Sequence, residues 1–139
     1  MFNVALASSG AQVSLASSSD EKHQPDCIID GSPNSFWAST GLFPQELVVS
    51  FQGLMSVSSI KIDCSSVKHF RIERSVSNDP IDFEPLHERE LDNANDLIQT
   101  EDLPVSSGSA KHIKFIFDSG YDHFISVHNI QVIGSAVHS

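Results

Sequence analysis

Apolar and polar residues alternate with a period of two along most of this chain. "VSLAS" from Val13, "ELVVSF" from Glu46, "SVSSIKIDCS" from Ser56 and "KHFRIERSVS" from Lys68 carry the pattern. "HIKFIFDS" from His112 and "FISVHNIQVIG" from Phe124 continue it. In "HIKFIF", Ile113, Phe115 and Phe117 fall on one face, and His112, Lys114 and Ile116 on the other. Such alternation predicts half-buried antiparallel strands. Turn-forming residues separate them: Asp30-Gly31, Gly41 with Pro44, Gly53, Asn78-Asp79-Pro80, Ser106-Ser107-Gly108 and Ser119-Gly120. Short strands, frequent turns and no convincing helix predict an all-β protein, an antiparallel β-sandwich or barrel.

The stretch from Asp79 to Asp102 departs from this pattern. It holds nine carboxylates and one cation, Arg89, among few apolar residues. It reads as an exposed acidic connection over 79–102 with one edge strand around Phe83 to Leu91. Such a segment either keeps the surface solvated or steers a basic partner.

Composition narrows the function. With 139 residues, 40% of them hydrophobic, the chain reads as a single domain, 1–139, with a real core. No run approaches the length of a membrane span, and "MFNVALASSGAQ" has neither the basic region nor the apolar core of a signal peptide. A net charge of −10 disfavours nucleic acid and anionic membranes as partners. The two cysteines, Cys27 and Cys64, read as reduced thiols, a disulfide requiring the fold to bring them together.

No motif for catalysis stands out. The chain lacks HExxH, GxSxG and P-loop patterns, and its seven histidines are scattered, with His69 and His112 expected on solvent faces. The expectation is a protein that is not an enzyme. Leu42 and Phe43 in "GLFPQ" form the one candidate apolar spike, without basic neighbours, and are expected to close the core or meet a protein.

"CIIDGSPNSFWAST", from Cys27, and "SVHNIQVIG", from Ser126, resemble the first- and last-strand signatures of the discoidin or galactose-binding jelly-roll family. The resemblance spans nearly the whole chain and implies an antiparallel β-sandwich jelly roll, with Trp37 starting a buried strand. It also implies a structural calcium ion. Its ligands would be the carbonyl of Cys27, the carboxylate of Asp30, the carbonyl of Ser32, the carbonyl or hydroxyl of Ser35, and, from a late turn, the carbonyl of His128 and the side chain of Asn129. An all-oxygen shell suits that cation. Asn129 stands where the family usually has glutamate, so weak affinity is expected.

"SSDEKH", "TGLFPQE" and "FDSGYDHFISVH" are similar to a branch of the family that serves ciliary transport. This resemblance implies a non-catalytic subunit of the transport complex B in cytoplasm and cilium or flagellum, forming a heterodimer with a Rab-like small GTPase. The partner surface is expected on outward positions of "KHFRIERSV" and "HIKFIFDS", where apolar residues were read on both faces. A calcium-dependent, lectin-like carbohydrate-binding module is the alternative, with Phe70, Arg71 and Arg74 in "SVKHFR" and beyond as its nearest candidates. Whether the tail 134–139 is ordered stays open.

Overall fold

A computed structural model describes residues 2–5, 10–16, 37–38, 43–79, 81–91, 98–105, 108–121 and 125–136. Nine strands are present among them: β1 (Phe2–Asn3), β2 (Gln12–Ala16), β3 (Trp37–Ala38), β4 (Gln45–Ser65), β5 (Val67–Ser75), β6 (Glu84–Glu90), β7 (Gln99–Pro104), β8 (Ser109–Gly120) and β9 (Ser126–Ala136). All pairings are antiparallel.

The chain does not reverse at Gly53 as expected. "ELVVSF" and "SVSSIKIDCS" are two ends of one strand, β4, 21 residues long. Residues 45–50 pair with β2 and β8, whereas residues 55–65 pair with β9 and residues 59–64 with β7. The β4·β8 register shifts between Ser50 and Met55, so one strand changes neighbours midway and serves two sheets. Strands that switch sheets through such irregularities form the corners of a sandwich. The first layer runs β2-β4-β8-β5-β6, and the second places β7 and β9 on either side of the later part of β4.

The chain returns to the first layer at Ser66, which has a φ of 64° between β4 and β5. Gln99 secures this crossing. Its Nε2 donates to the Val67 carbonyl at 2.9 Å, and its Oε1 accepts the Val67 N–H at 3.0 Å. A buried amide thus satisfies both backbone groups where the ladder is interrupted.

The core lies between the layers. Phe70, Ile72, Ile113, Phe115 and Phe117 come from the first, and Ile60, Ile62, Ile130 and Val132 from the second, all at most 1% exposed. Trp37 is fully buried, with ring centroids 6.1 Å from Phe117, which lies 6.4 Å from Phe70. Tilted rings at these separations are favourable aromatic contacts. Phe43 of the expected apolar spike packs against the same core, whereas Leu42 lies outside the described residues.

The acidic connection contributes two strands where one was expected. The edge strand predicted around Phe83 to Leu91 is β6, at the end of its layer. The later part of the segment enters β7, which the sequence reading passed over. Of the tail, Gly134 to Ala136 complete β9, paired with Val57, Ser56 and Met55.

Candidate functional site

The two signature stretches meet. Trp37 pairs with Val127 and Ala38 with Ser126, so the chain leaving the Asp-Gly segment is hydrogen-bonded to the start of the last strand. Of the proposed calcium ligands, Cys27, Asp30, Ser32 and Ser35 lie outside the described residues. Ser35 precedes Trp37 by two positions, and His128 follows Val127 directly.

His128 and Asn129 sit inside β9 rather than in the expected turn. Asp63 of β4 opposes Asn129 and Cys64 opposes Val127, which makes His128 the extra residue of a bulge. A bulge re-aims the backbone locally. The His128 ring meets Ser126 Oγ at 3.0 Å through Nε2, and burial lowers its pKa, with Asp63 opposing. The Asp63 carboxylate accepts the Thr100 hydroxyl at 2.7 Å. Only the β4·β9 register brings Asp63 opposite Asn129, and no local run of residues signals it.

Cys64 is a buried free thiol, 3.7 Å from Gln99 Oε1. Burial, then Asp63 and Glu101, push its pKa up to about 12. It packs as a small hydrophobe rather than reacting as a thiolate.

The outward side of the first layer carries a second polar constellation. On β5 the apolar residues do not divide between faces as expected. Phe70 and Ile72 both face the core, and the positions between and beside them hold His69, Arg71 and Glu73. The apolar residue on the outer face of β8 is Ile116, 4% exposed and placed between β4 and β5. Arg71 forks onto Asp118, with Nε 2.8 Å from Oδ2 and Nη2 3.1 Å from Oδ1. His69 spans two carboxylates, Nδ1 to Asp118 at 2.9 Å and Nε2 to Glu88 at 2.8 Å. The Glu88 hydrogen bond foremost raises the His69 pKa above 6.5, and the Arg71 hydrogen bond foremost holds Asp118 below the usual carboxylate range.

His112 is not on a solvent face; it is buried. Its Nε2 faces the Asn78 carbonyl at 3.1 Å, which can only accept, so Nε2 carries a proton. In the neutral ring Nδ1 then accepts the Ser50 hydroxyl at 2.6 Å. The segment after β5 folds back through this contact and through Lys111 Nζ to Asn78 Oδ1 at 2.9 Å. The pair is a clasp between loop and sheet, invisible in sequence because its partners are 34 and 62 residues away.

Comparisons with known proteins agree with this geometry. The F5/8 type C domain model matches residues 12–130. A human protein named intraflagellar transport protein 25 homolog is 41% identical over 136 residues, covering 98% of this chain and 94% of its own. Intraflagellar transport protein 25 of Chlamydomonas reinhardtii is 37% identical over 134 residues, 96% of this chain and 70% of its own. Among solved structures, a chitosan-binding module of a Paenibacillus chitosanase/glucanase superposes with a TM-score of 0.83 at 20% identity, covering 96% of this chain and all of that one. This last likeness is one of jelly-roll fold alone. The match of a discoidin-like domain from the second strand into the last, and the near full-length identity, place the chain in the intraflagellar transport protein 25 family.

Proposed function

We propose that this chain is a non-catalytic subunit of the intraflagellar transport complex B. It forms a stable heterodimer with a Rab-like small GTPase, intraflagellar transport protein 27, and works in the cytoplasm and the cilium or flagellum. The observation that carries this reading is the 41% identity across 98% of the chain to the human intraflagellar transport protein 25 homolog. A sandwich whose two layers share one long strand supports it as a scaffold, since such a body presents fixed faces to a partner. No helix of the described residues is long and apolar enough to cross a membrane. Sugar binding rests on likeness of fold at about a fifth identity and is not proposed.

Calcium belongs to the same proposal as a structural ion. The β3·β9 pairing supports it, since it sets Trp37, two positions after Ser35, opposite Val127, which directly precedes His128 and Asn129. Cys27, Asp30, Ser32 and Ser35 would complete the shell, and the ion would tie the first loop to the last strand.

Co-expression with the GTPase tests the main reading. The two chains are expected to co-purify and elute together at one-to-one stoichiometry. Separate elution of two monomers at micromolar concentration would refute it, and elution of this chain from a galactose matrix by free sugar would favour the lectin alternative.

A further inference from the structure

At the end of the first layer, β6 pairs only with β5 among the described strands. Among the described residues its outer edge therefore offers a row of backbone N–H and C=O groups along seven residues, interrupted at Pro85, which has no N–H. Glu84, Glu88 and Glu90 against Arg89 leave the strand with an excess of two negative charges. Two copies of such an edge repel each other, which disfavours self-pairing.

The β5·β6 register shifts between Ile72 and Glu73, where Ile72 opposes His87 and Glu73 opposes Pro85, so Leu86 is an extra residue. A cavity of about 300 Å³ opens at this irregularity, with Glu73, Pro85, Leu86 and Glu88 in its lining. Arg71 and His87 also line it, and the Arg71 charge acts on Glu73 and Glu88, but the hydrogen bonds of these two side chains go to other groups. Arg71 is forked onto Asp118, and Lys114, opposite Glu73 in the β5·β8 register, sits 4.5 Å over the Phe83 ring. His87 Nε2 faces the Pro104 carbonyl at 2.8 Å. Among the described residues no cation lies within ion-pair distance of the Glu73 carboxylate, and the Glu88 carboxylate pairs with His69, with 65% of the Glu88 side chain exposed. The cavity thus joins Pro85 and Leu86 to two carboxylates that carry no side-chain ion pair with Arg71, whose fork is engaged by Asp118.

We propose that β6 is a docking edge for an extended, basic segment of another polypeptide. The segment adds as a strand beside β6, and one Lys or Arg lays its stem on Leu86 and Pro85 and its charge between Glu73 and Glu88. Main-chain bonds supply affinity in such additions, and side-chain pockets supply specificity. Strands lie about 5 Å apart, so a long basic side chain leaning across β6 reaches the β5 carboxylate that faces it. The charge complementarity favours a basic chain over a second copy of this one.

The test uses the full chain, isotope-labelled, and a capped nine-residue peptide of alternating Lys and Thr. Amide shifts are expected to be confined to β6 and the facing residues 71–73. Binding should fall at least tenfold in Glu73→Gln/Glu88→Gln, and should vanish for the same peptide with alternate backbone nitrogens methylated, which keeps its charge. Replacing every Lys of the peptide by Glu should abolish binding to the unaltered chain, a control independent of any variant's folding. Equal binding of the methylated peptide, shifts spread over the acidic surface, no binding at millimolar peptide, or a dimer of this chain through β6 would each overturn the proposal. The GTPase is absent from the experiment, so failed co-purification leaves this inference standing, and failed peptide binding leaves the heterodimer standing.

Discussion

Asp118 of β8 holds Arg71 of β5 in a two-point fork, and the same carboxylate receives His69. Three side chains from neighbouring strands thus share one anionic centre on an outer face. Asp118 is held below the usual carboxylate range, so its contribution is complete above the ordinary value of 3.8 and is lost as pH falls through its lower folded value. His69 runs the opposite way. Raised from 6.5, it contributes fully below that pH, and the contribution is lost as pH rises through its higher folded value. The groups are partly exposed, so each effect is small, at most about 1 kcal/mol. Thermal melts from pH 5.5 to 8.5 should show His69→Gln losing its deficit relative to wild type as pH rises. Parallel Tm curves across that range would contradict the assignment.

Gln99 is the stitch at the layer crossing. Gln99→Ala leaves the buried N–H and C=O of Val67 without their partner and should cost about 2–4 kcal/mol. Urea unfolding followed by Trp37 fluorescence reads this directly, since the chain has one tryptophan and it is buried. In the native protein Cys64 should resist alkylation at pH 8, and the variant should label faster at that site by mass mapping. Wild-type labelling of Cys64 at the rate of the unfolded chain would defeat this account.

Two glycines should respond with opposite signs. A Cβ at Gly134 would clash with the Ser56 carbonyl oxygen, inside the β4·β9 ladder, whereas one at Gly53 would meet nothing within 4 Å among the described residues. Gly134→Ala should destabilise by about 1–3 kcal/mol through overpacking. Gly53→Ala should stabilise by roughly 0.5 kcal/mol through the unfolded chain. Equal stabilities for the two variants would show that β9 has room the ladder denies it.

Calcium makes the fourth prediction. Millimolar calcium should raise the Tm and chelator should reverse it, because a ligand bound to the folded state alone stabilises by mass action. Asp30→Ala should abolish the shift, and Asn129→Asp should enlarge it by restoring a second carboxylate. A Tm indifferent to calcium removes the ion from the proposal without touching the fold.

The period-two pattern was enough to establish an all-β fold and to set Ile113, Phe115 and Phe117 of β8 on the core face, because side chains alternate across a strand residue by residue. The edge strand β6 was legible instead from the acidic segment that contains it. The period-two signal was also present in β7, where Gln99 and Leu103 are buried and Thr100, Asp102 and Pro104 exposed, but its carboxylates masked it. Gly53 read as a turn because glycine permits reversal without requiring it, and β4 instead bends from one layer into the other. Pairings across long separations were decided by the tertiary structure: the burial of His112 under the loop at Asn78, the approach of Asp63 to Asn129, and the sharing of Asp118 by His69 and Arg71. Which strands become neighbours depends on how the layers close over a common core, and no local run of residues encodes that closure.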